Sequence, residues 1–163
     1  MKPITAATLF AAALAICSIA LAVDEKPAVK SDHVMYTAAD LKWGDAPASL
    51  PAGAKAAILS GDPGKAGPFT IRLQIPAGYK IPAHTHPTEE RITVISGTSQ
   101  FGMGPKFDDA TAHDLAAGGF VVMPVGMQHF AGSKTGCVVQ VDSTGPFEIN
   151  YVNPADDPRT AKK

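Results

Sequence analysis

The chain has 163 residues, 45% of them hydrophobic, and a formal net charge of −1, which bounds it to one domain able to bury a core. Its 14 Lys and Arg are scattered among 15 acids with no basic cluster, which excludes the electrostatic footprint of a nucleic-acid binder. Fifteen Gly and fourteen Pro fall between short apolar runs, a pattern of many turns that favours an all-β chain over helices.

Residues 1–22 read as a secretory signal peptide. Met1-Lys2 is a short positive start, Ile4 to Ile19 an Ala/Leu/Ile-rich run, and Ala20-Leu21-Ala22 a small-x-small cleavage signal followed at once by Asp24-Glu25. The run approaches the ~20 residues of a spanning helix, but the Ala-Leu-Ala ending selects cleavage after Ala22 over an anchor. Ile16 stands where a lipobox before Cys17 has a small residue, so no lipid anchor is read. Export to the periplasm or the medium is expected, with no stable membrane insertion after cleavage. The mature chain then keeps one cysteine, Cys137, inside the strand-like run Gly136–Asp142, where it reads as buried and inert.

Residues 23–55 read as an extended N-terminal arm, with a short strand near His33 to Thr37, His33 at the surface and Trp43 as its large anchor. Residues 56–153 read as the folded domain. Ala56–Ser60 is a strand closed by Gly61-Asp-Pro-Gly64. Phe69–Ile75 alternates strictly between apolar and polar, the half-buried strand signature. Which face of it points inward stays open: if the polar face does, Arg72 becomes a clamp for an anionic substrate. Arg91–Ser96 and Thr98–Met103 read as antiparallel partners around a turn at Gly97. Further strands are expected at His113–Leu115, Phe120–Met123, Gln128–Gly132, Gly136–Asp142 and Phe147–Val152, with His113 exposed. Residues 154–163 read as a disordered tail. About ten short strands at regular spacing make a sandwich or barrel. There is no Gly-rich phosphate loop and no Ser nucleophile elbow.

The chemistry concentrates between Gly78 and Gly97. His84 and His86 stand two apart, so on a strand they share a face, with Cα atoms about 6.6 Å apart, and can converge on one metal ion. Glu90 brings a carboxylate oxygen after the Pro87-Thr88 bend, and His129 reads as the fourth ligand. Three imidazoles and a carboxylate suit a divalent transition metal (Fe, Mn, Zn, Ni or Cu) and argue against a soft thiolate site. Four such ligands close a tetrahedral zinc site but leave open positions on a five- or six-coordinate ion. Glu89, beside Glu90, would face the other way on a strand; it is the single, weak candidate for a general base. Met103, Phe120, Val122, Met127 and Phe130 are candidate pocket walls, each equally good as ordinary core.

These residues resemble the two motifs of the cupin superfamily. The first motif is matched by Gly78, His84, His86, Glu90 and Gly97, the second by Gly118, Pro124, Gly126 and His129, with Ser133 where the family has Asn. That departure touches a supporting hydrogen bond, not a metal ligand. More closely, the chain resembles secreted, single-domain bacterial cupins. The resemblance implies a jelly-roll β-barrel, often homodimeric, with a metal inside one mouth held by His84, His86, Glu90 and His129. It also implies a small-molecule ligand and an activity such as dioxygenase, oxidase, isomerase or decarboxylase. The reading that follows is a metal-dependent oxidoreductase of the dioxygenase or oxidase kind. Its rivals are a non-catalytic module that binds or senses a metal or ligand, and a scaffold with a vestigial site.

Overall fold

In a computed structural model, which describes residues 33–160, the chain from Val34 onward is almost entirely β. The expected signal peptide lies outside the described residues. Ten strands follow in order: β1 (Gly44–Asp45), β2 (Lys55–Ser60), β3 (Gly67–Ile75), β4 (Tyr79–Thr85), β5 (Glu90–Met103), β6 (His113–Ala116), β7 (Phe120–Met123), β8 (His129–Ser133), β9 (Cys137–Gly145) and β10 (Asn150–Tyr151). Their spatial order is β1-β2-β3-β9-β5-β8-β4-β10, every neighbour antiparallel, with β6 and β7 also paired to β5. Among the described residues no helix is long and apolar enough to cross a membrane.

The expected pair of strands around Gly97 is instead one strand. β5 runs unbroken for 14 residues. Its first half pairs with β7 and β9, its second half with β6 and β8. It therefore belongs to both sheets and curls one into the other. Gly97 makes the passage: its φ is +72°, and a Cβ there would lie 2.3 Å from the Gly136 carbonyl oxygen, so only glycine fits this approach. The result is the closed two-sheet barrel of a jelly roll.

The alternation of β3 resolves with its apolar face inward. Phe69, Ile71, Leu73 and Ile75 are buried, and Ile71 and Leu73 stand opposite Val141 and Val139 of β9. Fully burying each such side chain contributes about 1.5–3 kcal/mol, whereas Arg72 facing inward would bring an unpaired charge into the core. Arg72 points outward and donates through Nε to Gln140 Oε1 at 3.4 Å.

The arm and the tail also differ from expectation. No strand forms at 33–37; a single 3-10 turn spans Ala38–Asp40. His33 is exposed. The buried anchor of the arm is Leu50, 8% exposed, whereas Trp43 is 37% exposed. Residues 46–51 fold back over the barrel: Ala46 N–H donates to Ala54, Tyr151 hydroxyl to the Ser49 carbonyl at 2.7 Å, and Tyr79 hydroxyl to the Pro51 carbonyl. The described part of the tail, residues 154–160, is held by specific contacts. A 3-10 turn spans Pro154–Asp156, and Arg159 reaches the Ile149 carbonyl at 2.9 Å and the Asp157 carboxylate at 2.8 Å. Cys137 is buried, and burial raises its thiol pKa, as an inert core cysteine requires.

Candidate metal centre

Two strands and one bend deliver the polar cluster inside the barrel. On β4 the alternation changes phase. Tyr79 and Ile81 face inward, and after a register shift between Ile81 and His84 so do His84 and His86. Pro82 sits in the shift, where it has no N–H to give the ladder, and the bulge re-aims the strand. His84 then stands directly opposite His129 of β8. The Pro87-Thr88 bend returns the chain so that β5 opens on Glu90 with its side chain inward. The Pro124–Gly126 turn is tied to this bend by the Gly126 N–H donating to the His86 carbonyl at 3.0 Å. That bond sets the start of β8.

The three imidazoles are 3%, 3% and 1% exposed for His84, His86 and His129, and one ring nitrogen from each lies within 4.8 Å of the others. Every Nδ1 faces a backbone carbonyl: His84 to Pro82 at 2.7 Å, His86 to Glu148 at 2.6 Å and His129 to Met127 at 2.9 Å. A carbonyl only accepts, so each Nδ1 must carry the proton. Each Nε2 is then the ring atom turned to the interior and free to serve as a ligand. The Nε2 atoms of His86 and His129 are buried without a hydrogen-bond partner. Glu90 Oε2 lies 3.4 Å from His86 Nε2 and 3.5 Å from His129 Nε2.

This arrangement converges three imidazole nitrogens and a carboxylate on one point. Buried polar atoms are otherwise almost always paired, so the cluster is complementary to a cation. Backbone carbonyls that hold the far nitrogen of each imidazole are the usual second layer of a metal site. The spacing agrees: two ligands bonded at about 2.1 Å to one ion stand about 3.0–3.4 Å apart, longer than a good N–H···O bond at ~2.7–3.2 Å. The three histidines thus fit a metal ion, with Glu90 beside two of them.

The electrostatics point the same way. Burial, then the neighbouring imidazoles His129 and His86, push His84 down to about 3, so its ring is neutral and able to ligate at ordinary pH. Burial works against an ionised Glu90, but in the metal-free cluster hydrogen bonds from His129 and His86 outweigh it and hold the carboxyl at about 2.

The cluster opens into an apolar cavity of about 120 Å³, lined among others by Leu50, Ile71, Leu73, Val139, Val141 and Phe147. The six sequence-read pocket residues are elsewhere. Arg72 faces outward. Met103, Phe120, Val122 and Met127 are 50%, 56%, 37% and 38% exposed. Phe130, fully buried, lies on the opposite face of β8 from His129, over Gly102 and against Phe107 at 4.8 Å. Glu89 also faces out and pairs with Arg91 at 2.5 Å, which removes it from the cavity. His113 is exposed. Ser133 replaces the expected Asn with two bonds of its own: its hydroxyl donates to the Thr98 carbonyl at 2.6 Å and accepts from Gly136 N–H at 2.9 Å.

Phe147 carried no signal in the sequence, yet its ring stacks on His86. The wall residues of β3 and β9 were visible as an apolar face, but not as the face that meets the cavity.

The sequence matches the family model described as Domain of unknown function (DUF4437) over residues 13–150, and the chain belongs to that family. No curated relative matches it. The fold is similar to the polyketide cyclase RemF from Streptomyces resistomycificus, with 18% identity, TM-score 0.65, and 78% of this chain and 90% of that one covered. It is similar to a candidate acetylacetone dioxygenase from Methylibium petroleiphilum, with 19% identity, TM-score 0.56, and coverage of 78% and 87%. It is also similar to an RmlC-like cupin from Shewanella frigidimarina, with 17% identity, TM-score 0.54, and coverage of 71% and 94%. The cupin fold is thereby shown.

Proposed function

We propose that this chain is an exported, metal-dependent oxidoreductase acting on a small molecule, with His84, His86, His129 and Glu90 as the ligands of one divalent ion. The observation that carries the metal half is the convergence of carbonyl-oriented Nε2 atoms on a buried carboxylate. Support for the oxidoreductase half comes from what surrounds it. Among the described residues no titratable side chain other than these four lines the cavity, so none of them offers a separate general base. A bound ion, which these four residues would hold, would supply a Lewis acid and a redox centre for the chemistry. The candidate dioxygenase among the fold neighbours is in keeping with this.

The protein's own residues do the rest. The Pro82, Glu148 and Met127 carbonyls fix the three rings. Ionised Glu90 takes one positive charge off the site, which favours higher oxidation states of iron, manganese or copper. Leu50 of the folded-back arm and Phe147 present apolar side chains to the cavity. The test is oxygen consumption by protein reconstituted with Fe(II), Mn(II) or Cu(II) against a panel of small phenols, alcohols and thiols. Turnover that His129→Ala abolishes supports the assignment. Binding of one zinc per chain with no turnover under any metal contradicts it and selects a non-catalytic binding or sensing module.

A further inference from the structure

The lining of the cavity defines what enters it. Among the described residues that line it there is no Lys, Arg, Asp, Asn, Gln, Thr or Tyr. Of its two serines, Ser99 already donates to the Gly132 carbonyl at 3.2 Å, which leaves Ser49 as the remaining hydroxyl. Everything else apart from the four metal-site residues is aliphatic, aromatic, proline or glycine. The volume of about 120 Å³ is close to that of apolar protein cavities of ~150 Å³ that stay dry and take up benzene.

A charged or polyhydroxylated ligand would leave its polar groups unpaired against Ile71, Leu73, Val139 and Val141, at a large desolvation cost. A sugar acid or dicarboxylate has two polar ends, and the cavity offers one. We propose that the ligand of this site is a small, uncharged, benzene-sized molecule with an oxygen function at one end only, that oxygen facing the histidines and the apolar body lying against the inward face of β3 and β9. The oxygen-facing half rests on the metal-centre reading; the apolar half rests on the lining alone.

The experiment compares p-cresol, 4-hydroxybenzoate and glucose on Co(II)-loaded protein, read by the visible bands of the cobalt and by melting temperature, with toluene added to metal-free protein. p-Cresol and 4-hydroxybenzoate share a ring and a phenol. Whichever end of 4-hydroxybenzoate faces the histidines, the other polar end lies among aliphatic side chains. The expected result is saturable p-cresol binding that perturbs the cobalt bands, at least tenfold tighter than either polar ligand, and a higher melting temperature with toluene. Val139→Phe, which fills the cavity, abolishes both responses while cobalt stays bound; Val139→Leu, with a smaller insertion, weakens them if the first variant does not fold. Equal or tighter binding of 4-hydroxybenzoate or glucose overturns the proposal, as does the absence of any response to both p-cresol and toluene. Failure to take up cobalt, with toluene still stabilising, overturns the metal centre and the oxygen-facing half and leaves the apolar half standing.

Discussion

Phe147 lies flat against His86, with ring centroids 4.3 Å apart and planes 16° from parallel. The next residue, Glu148, accepts a hydrogen bond from His86 Nδ1–H through its carbonyl. One short segment therefore sets both the tilt and the tautomer of a candidate ligand. Truncation to Phe147→Ala should cost about 1–3 kcal/mol in stability, as a half-buried aromatic. It should also weaken metal binding roughly tenfold or more, as loss of a supporting layer does. Competition with a chromophoric chelator measures the second effect. Affinity unchanged from wild type would show that the stack orients nothing.

Acid should destabilise the metal-free protein in two stages. His84 has an ordinary pKa of 6.5 and about 3 when folded, so below pH 6.5 the unfolded chain binds a proton that the folded one refuses. Stability is complete above 6.5 and declines as pH falls toward 3. Glu90, ordinarily 4.5 and about 2 here, adds a second decline beginning near 4.5. Melting curves from pH 8 to 4 should turn down below about 6.5, and His84→Gln should flatten that first stage. A flat profile to pH 4 would contradict the burial of a neutral His84.

Two glycines of the first motif should respond differently to alanine. Gly78 has φ +74° with nothing within 4 Å of a built Cβ, whereas Gly97 has φ +72° with the Gly136 oxygen at 2.3 Å. Gly78→Ala pays only the left-handed penalty, about 1–2 kcal/mol. Gly97→Ala pays that and must also part β5 from β9, so its denaturation midpoint should fall much further. Equal midpoints would mean that the strand passage tolerates a side chain.

The arm should loosen in alkali. Tyr79 is raised by burial to about 12 from an ordinary 10, and burial raises Tyr151 as well. A raised folded pKa means stability is intact below pH 10 and lost as pH climbs toward 12. Melting temperatures between pH 9 and 11.5 should fall from about pH 10, less steeply in Tyr79→Phe. Tyr151→Phe, which frees the Ser49 carbonyl, should speed hydrogen exchange at residues 46–51 without unfolding the barrel. Unchanged exchange would show that other contacts hold the arm.

Much of this site was legible because ligand chemistry is local. His84 and His86 stand two apart, so their rings share a face of the strand, and the structure brings them together with His129. The barrel was legible in the alternation of residues 69–75 and the glycine-punctuated runs. What alternation cannot tell is which face is inward, since that depends on β9, distant in sequence, offering Val139 and Val141 opposite Leu73 and Ile71. The stack of Phe147 on His86 and the burial of Leu50 are likewise long-range packing. Gly97 announced a special backbone, but a turn and a strand crossing between sheets need the same positive φ. Arg159 tied down the tail through one carbonyl and one carboxylate, partners no local composition reveals.

The measurement that bears most directly on the metal centre is elemental analysis of the protein purified from its native compartment, without chelator or affinity nickel, alongside His86→Ala and His129→Ala. The account predicts about one transition-metal ion per chain in the wild type, lost in both variants while circular dichroism stays β-rich. A folded wild type that holds no metal, and takes none up from Fe(II), Mn(II), Cu(II) or Zn(II), would contradict it.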